Sequence, residues 1–91
     1  MSTHTPGPWF VVGNTVYALN KKNYNRFCAQ VQDVHTDAKE LLANAQLMAT
    51  APDLLAVLQE LQESASYWSE YDVPLGIVDR INAAISKAVK S

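Results

Sequence analysis

Trp9-Phe10-Val11-Val12-Gly13-Asn14-Thr15-Val16-Tyr17-Ala18-Leu19 is the stretch that decides the fold. Two runs of aromatic and β-branched side chains flank a Gly-Asn pair, which suits a two-residue turn needing positive φ at its first position. The stretch predicts a β-hairpin. After the polar interval Asn20-Lys21-Lys22-Asn23-Tyr24-Asn25, the segment from Arg26 to Val34 alternates Phe27, Ala29 and Val31 with Cys28, Gln30 and Gln32. That period of two predicts a third strand with one face packed and the other mostly wet. Two strands alone are marginal, so three strands under a helical cover are the smallest stable arrangement the pattern allows.

Downstream the apolar spacing becomes helical. Thr36 is the expected N-cap, and Asp37 and Glu40 fall in the first turn, where the helix dipole favours anions. Leu41, Ala45 and Met48 share one face, widened by Leu42 and Ala49. At Thr50-Ala51-Pro52-Asp53 the helix should stop or kink, because proline lacks a donor and disfavours helical geometry at Ala51. Proline is tolerated in the first turn of a new helix, and Leu54, Leu58, Leu61, Ala65 and Trp68 carry a second one to about Tyr67. Trp68 is expected to continue the core stripe. Asp72-Val73-Pro74 breaks the chain again, after which Ile77, Ile81, Ala84 and Ala88, with Val78, Ile85 and Val89, predict a third helix. The expected fold is α+β in a single domain over 1–91. A three-stranded antiparallel sheet (8–34) packs against about three C-terminal helices (36–90).

Composition agrees with this plan. The 91 residues are 48% hydrophobic and 18% charged, ordinary for a globular core and too apolar for a disordered tail. Ninety-one residues suffice for one domain, with an oligomeric partner as available support. A net charge of −2 gives no drive toward phosphate backbones or anionic lipid, so general nucleic-acid binding and membrane association are not expected. The charge is uneven. Lys21, Lys22 and Arg26 against Asp33 give +2 over residues 1–35. Lys39 against Asp37, Glu40, Asp53, Glu60, Glu63, Glu70 and Asp72 gives −6 over 36–72. Arg80, Lys87 and Lys90 against Asp79 return +2 over 73–91. A basic C-terminal helix is therefore expected to lie beside an acidic one. The single cysteine excludes an internal disulfide and a cysteine zinc cage, and fits a reducing compartment. The opening residues hold no basic and apolar leader pattern, and the longest aliphatic run, Leu54–Leu58, is five residues, so neither secretion nor a membrane span is expected.

Reaction chemistry finds little to work with. Cys28 and His35, seven apart on one extended strand, would point to opposite faces, so a thiolate–imidazole dyad is not expected and Cys28 reads as a partly buried structural residue. Gly7, Gly13 and Gly76 are isolated, leaving no phosphate-cradling loop. His35-Thr36-Asp37 offers too few metal ligands and reads better as a helix start, and Glu60 and Glu63 as a solvated helix face. No catalytic residue, cofactor or metal is expected. Lys21, Lys22, Tyr24 and Arg26 form the basic and aromatic cluster where a phosphate or nucleotide contact would fall, although lysines blunting a hairpin edge explain it as well. Tyr67 and Tyr71 stand where the second helix gives out and are the better candidates for an exposed interaction surface.

Two stretches carry a family resemblance. His4-Thr5-Pro6-Gly7-Pro8-Trp9 and Ala43-Asn44-Ala45-Gln46-Leu47-Met48-Ala49-Thr50-Ala51-Pro52-Asp53-Leu54-Leu55, about 19 of the 91 residues, resemble a family of small proteins from tailed bacteriophages and prophages. Gln46 stands where that family usually has arginine, which removes a cation from the motif. The resemblance implies a phage accessory protein acting in the cytoplasm of an infected bacterium, and implies no activity. By analogy with small phage proteins, the expected role is non-enzymatic binding of a host or defence macromolecule, or self-assembly. The alternative is a small-ligand protein that sequesters a signalling nucleotide, with Lys21, Lys22, Tyr24 and Arg26 supplying charge and stacking.

Overall fold

The computed structural model describes residues 4–69, 71 and 73–89. They fall into two compact units, one over Thr5–Asp53 and one running from Leu54 onward and including His4. Glu70, Asp72 and Lys90, counted in the charge pattern above, lie outside the described residues, as does the start of the predicted Asp72-Val73-Pro74 break.

In the first unit, β1 (Phe10–Val12), β2 (Thr15–Leu19) and β3 (Asn25–Gln30) form an antiparallel sheet in the order β1-β2-β3. The hairpin forms as the sequence predicts: Val12 pairs with Thr15, and Gly13 takes φ +59° in the two-residue turn. A Cβ on Gly13 would meet nothing within 4 Å, so backbone conformation rather than space calls for glycine there. Between β2 and β3 the register shifts: Ala18 pairs with Phe27 and Leu19 with Asn25, leaving Arg26 as the extra residue of a bulge.

The third strand ends at Gln30, short of the predicted Val34. Its partner β2 begins at Thr15, opposite Gln30, so no strand remains for it to pair with. Asn14 closes the ladder instead: its carbonyl accepts from the Val31 N–H at 2.8 Å and its side-chain amide donates to the Val31 carbonyl at 3.0 Å.

Helix α1 (Ala38–Ala49) is capped by Asp37 rather than by the expected Thr36. Asp37 has extended backbone (φ −55°, ψ 139°), and its Oδ1 accepts from the Lys39 N–H at 2.9 Å. Thr36 is held in the preceding turn, where its N–H donates to the Asp33 carbonyl at 3.4 Å. Val16 and Ala18 turn inward from β2, and Ala45 and Ala49 are the buried residues of α1. Val16, Ala45 and Ala49 form the centre, with Trp9, Val11, Phe27 and Val31 packed around it. Leu42 and Met48 stay exposed, so the packed stripe of α1 is narrower than its periodicity suggests. Trp9 meets Phe27 edge-on at 4.9 Å between centroids, and its Nε1–H donates to the Thr5 carbonyl at 3.1 Å. Nearby, the Gly7–Pro8 peptide is cis, and a Cβ on Gly7 would come 3.0 Å from Pro52 Cβ. The two stretches that carry the resemblance thus touch each other.

Helix α1 stops at Thr50, whose Oγ1 donates to the Leu47 carbonyl at 2.8 Å. Helix α2 (Ala51–Ser64) starts directly after it, with Pro52 in the first turn, where a missing N–H leaves no bond unmade. A single 3-10 turn (Ala65–Tyr67) follows, and Trp68 is then extended at ψ 140°. Trp68 therefore leaves the helix and does not continue its apolar stripe; it is half-buried. Helix α3 (Ile77–Ala88) buries Ile81 and Ile85, whereas α2 has no buried residue. Within the second unit the Gln62 amide on α2 donates to Asn82 Oδ1 on α3 at 2.8 Å. Among the described residues no single helix is long and apolar enough to cross a membrane.

Candidate functional site

The basic and aromatic cluster occupies the β2–β3 loop. Asn20 organises it: Oδ1 accepts from the N–H groups of Lys22 at 2.8 Å and Tyr24 at 3.1 Å. The Asn20 N–H donates to the Tyr24 carbonyl at 2.8 Å, and its carbonyl accepts from the Asn23 N–H at 3.0 Å. Such a side-chain-capped turn lets Asn23 adopt φ +65°, which asparagine tolerates better than most residues. Lys21, Lys22, Tyr24 and Arg26 are all exposed on this pinned loop and the bulge that follows it. Three cations with an exposed phenol ring suit an anionic, partly aromatic ligand.

Tyr67 and Tyr71 belong to the second unit and are 89% and 90% exposed. The chain around them is turned by hydrogen bonds of short range: Ser66 Oγ to the Glu63 carbonyl at 3.0 Å, and the Tyr71 N–H to Ser69 Oγ at 3.2 Å. Beside them a shallow hollow of about 220 Å³ is lined by Ala65, Trp68, Val73, Pro74 and Ile77. That volume is below the range of about 300–1,000 Å³ usual for small-molecule pockets, and its lining is largely apolar. Two separate candidate surfaces result, one in each unit.

Cys28 is exposed rather than partly buried. Its pairing with Tyr17 places it on the outer sheet face, away from the inward Val16 and Ala18. His35 lies beyond the end of β3, exposed in a turn where its N–H donates to Asp33 Oδ1 at 2.7 Å, so the two residues do not share a strand. Asp37 is engaged as the cap of α1, and Glu60 and Glu63 are exposed on α2. Among the described residues no group of three or more His, Cys, Asp and Glu side chains is placed to hold a metal ion.

Sequence reasoning missed two surfaces. On the outer sheet face Phe10 and Tyr17 stack at 5.5 Å with Val12 and Cys28 beside them. The signal was present, because a two-residue turn that pairs Val12 with Thr15 must also pair Phe10 with Tyr17. The second is a ridge on α2, where Leu54, Val57 and Leu61 face outward although Leu54 and Leu61 belong to the stripe expected to face the core.

The family model for Salmonella phage P22 protein Y8K6 matches residues 1–91. The chain belongs to that phage protein family. No curated protein and no solved structure matches it. Membership in the Y8K6 family agrees with the resemblance to a phage protein family read from the sequence. The match spans both units, so the sheet with α1 and the α2–α3 segment are parts of one family unit.

Proposed function

We propose that this Y8K6-family protein is a non-enzymatic phage accessory protein that works by binding a host or defence macromolecule, or by self-assembly, in the cytoplasm of the infected bacterium. It uses no cofactor. The observation that carries this reading is the near-complete exposure of Tyr67 and Tyr71 beside an apolar hollow. Aromatic side chains that are amphipathic and cheap to order are the anchors enriched at protein interfaces. Affinity capture from infected cells with the wild-type chain and with Tyr67→Ala/Tyr71→Ala tests it. The reading expects a host protein recovered with wild type to fall at least about tenfold with the variant, the loss of one modest hot spot. Identical recovery with both chains refutes it.

A second reading rests on the pinned β2–β3 loop, which presents Lys21, Lys22, Tyr24 and Arg26 together. In that reading the protein sequesters a small anionic ligand of the signalling-nucleotide class. A thermal-shift screen of nucleotides decides it: a ligand present at 100 times its Kd stabilises by about 2.7 kcal/mol, and no shift with any anionic ligand rules it out.

A further inference from the structure

Helix α2 carries two parallel ridges. Leu55, Leu58 and Gln62, spaced i, i+3, i+7, form one; the two leucines are half-buried and Gln62 bonds to Asn82 of α3. Leu54, Val57 and Leu61, with the same spacing one residue earlier, form the other, and Leu54 and Val57 are 52% and 54% exposed. A helix with one half-buried apolar ridge and a second ridge open to water has the pattern of a bundle helix lacking a partner.

Helix α3 supplies the complement. Arg80, Ala84 and Lys87 lie along its exposed side at i, i+4, i+7, with Ala88 beside them. The alanines leave a shallow groove edged by two cations. The ridge of α2 is large and apolar, and it is edged by Glu60, one turn on from Val57. Within one chain α2 meets α3 through Gln62 and Asn82, neither of which belongs to the exposed ridge or the groove, so ridge meets groove and acid meets base when α2 packs on the α3 of another copy.

We infer that the α2–α3 segment pairs with the same segment of a second copy of this chain, completing a two-fold four-helix bundle in which α2 of one copy lies on α3 of the other. This inference makes specific the self-assembly arm of the proposed function. Because α2 and α3 carry opposite charge, the like-charged pairing of α2 on α2 is disfavoured, and a two-fold axis repeats the α2–α3 contact twice.

Sedimentation equilibrium of the full chain, with a monomer mass of 10.0 kDa, should give twice that mass. Glu60→Lys places like charges at both contacts and should raise the dimer dissociation constant by about tenfold, as should Arg80→Glu/Lys87→Glu. All three positions are exposed, so helicity by circular dichroism should not change. Mixing the two variants should restore association to within about threefold of wild type, because each contact in the mixed dimer then joins opposite charges. Charge pairing inside one chain cannot be rescued by mixing. A monomer at all concentrations up to about 1 mM, an assembly larger than a dimer, or absence of rescue on mixing each overturns the inference. A monomer that still captures a host protein through Tyr67 and Tyr71 would overturn it while leaving the foreign-partner arm standing. A dimer that captures nothing would uphold it and remove that arm.

Discussion

Val16→Ala tests whether the first unit is held by the side chains named at its centre. Val16 is fully buried, at 0% exposure, between Ala45 and Ala49 of α1 and the ring of Trp9, Val11, Phe27 and Val31. The substitution deletes two carbon atoms, a transfer loss of about 1.6 kcal/mol at ~0.8 per carbon. The void would be about 50 Å³ if nothing moved, which at ~24 cal/mol per Å³ adds about 1 kcal/mol. The expected loss is about 2.5 kcal/mol. Urea titration followed by tryptophan fluorescence should show the midpoint falling with the slope unchanged. The melting temperature should drop by roughly 10–20 °C, at about 4–8 °C per kcal/mol for a domain of this size. Val12→Ala, on the exposed outer face of the same sheet, is the control and should stay within about 0.5 kcal/mol. If Val16→Ala costs less than about 1 kcal/mol, or no more than Val12→Ala, the core has been placed on the wrong face of the sheet.

Gly7→Ala should cost about 1 kcal/mol, because the added carbon meets Pro52 Cβ at 3.0 Å and the ring must give way; adding Pro52→Gly, which removes both the Cβ and the Cγ it meets, should recover most of that loss in a double-mutant cycle, and strict additivity would deny the contact. Gly13→Ala should cost about 1–2 kcal/mol through the φ of +59°, with Gly13→Asn costing less than half as much in the same melt; equal effects would mean the turn is not of this type. Asp37→Ala should remove about 1 kcal/mol and Asp37→Asn little of it, read as loss of helix signal on heating, whereas an equal loss from Thr36→Ala would return the cap to Thr36.

The hairpin was readable because the Gly13–Asn14 pair fixes a turn type, and a turn type fixes a register. The end of β3 was not, because Phe27, Ala29 and Val31 keep alternating past the point where β2 has run out. Periodicity describes one chain segment and is blind to the length of its neighbour. The cap of α1 went to Asp37 for a similarly local reason, since Thr36 was already committed to the turn closed by Asp33. Trp68 was read as core because its spacing continues that of Leu54, Leu58, Leu61 and Ala65, but the helix itself ends first. Among the candidate surfaces, residue type singles out the loop cations and the two tyrosines, and the structure leaves all of them exposed. The outward ridge of α2 was hidden, because an apolar stripe states that a face wants cover without stating what provides it.

The alanines at 45 and 49 bring α1 close over β2, so the interior of the first unit is little more than one valine deep. A layer so thin holds the backbone in place with a single course of side chains. The faces it turns outward, the Asn20-braced loop and the Phe10–Tyr17 pair, can therefore change residue by residue without touching the architecture beneath.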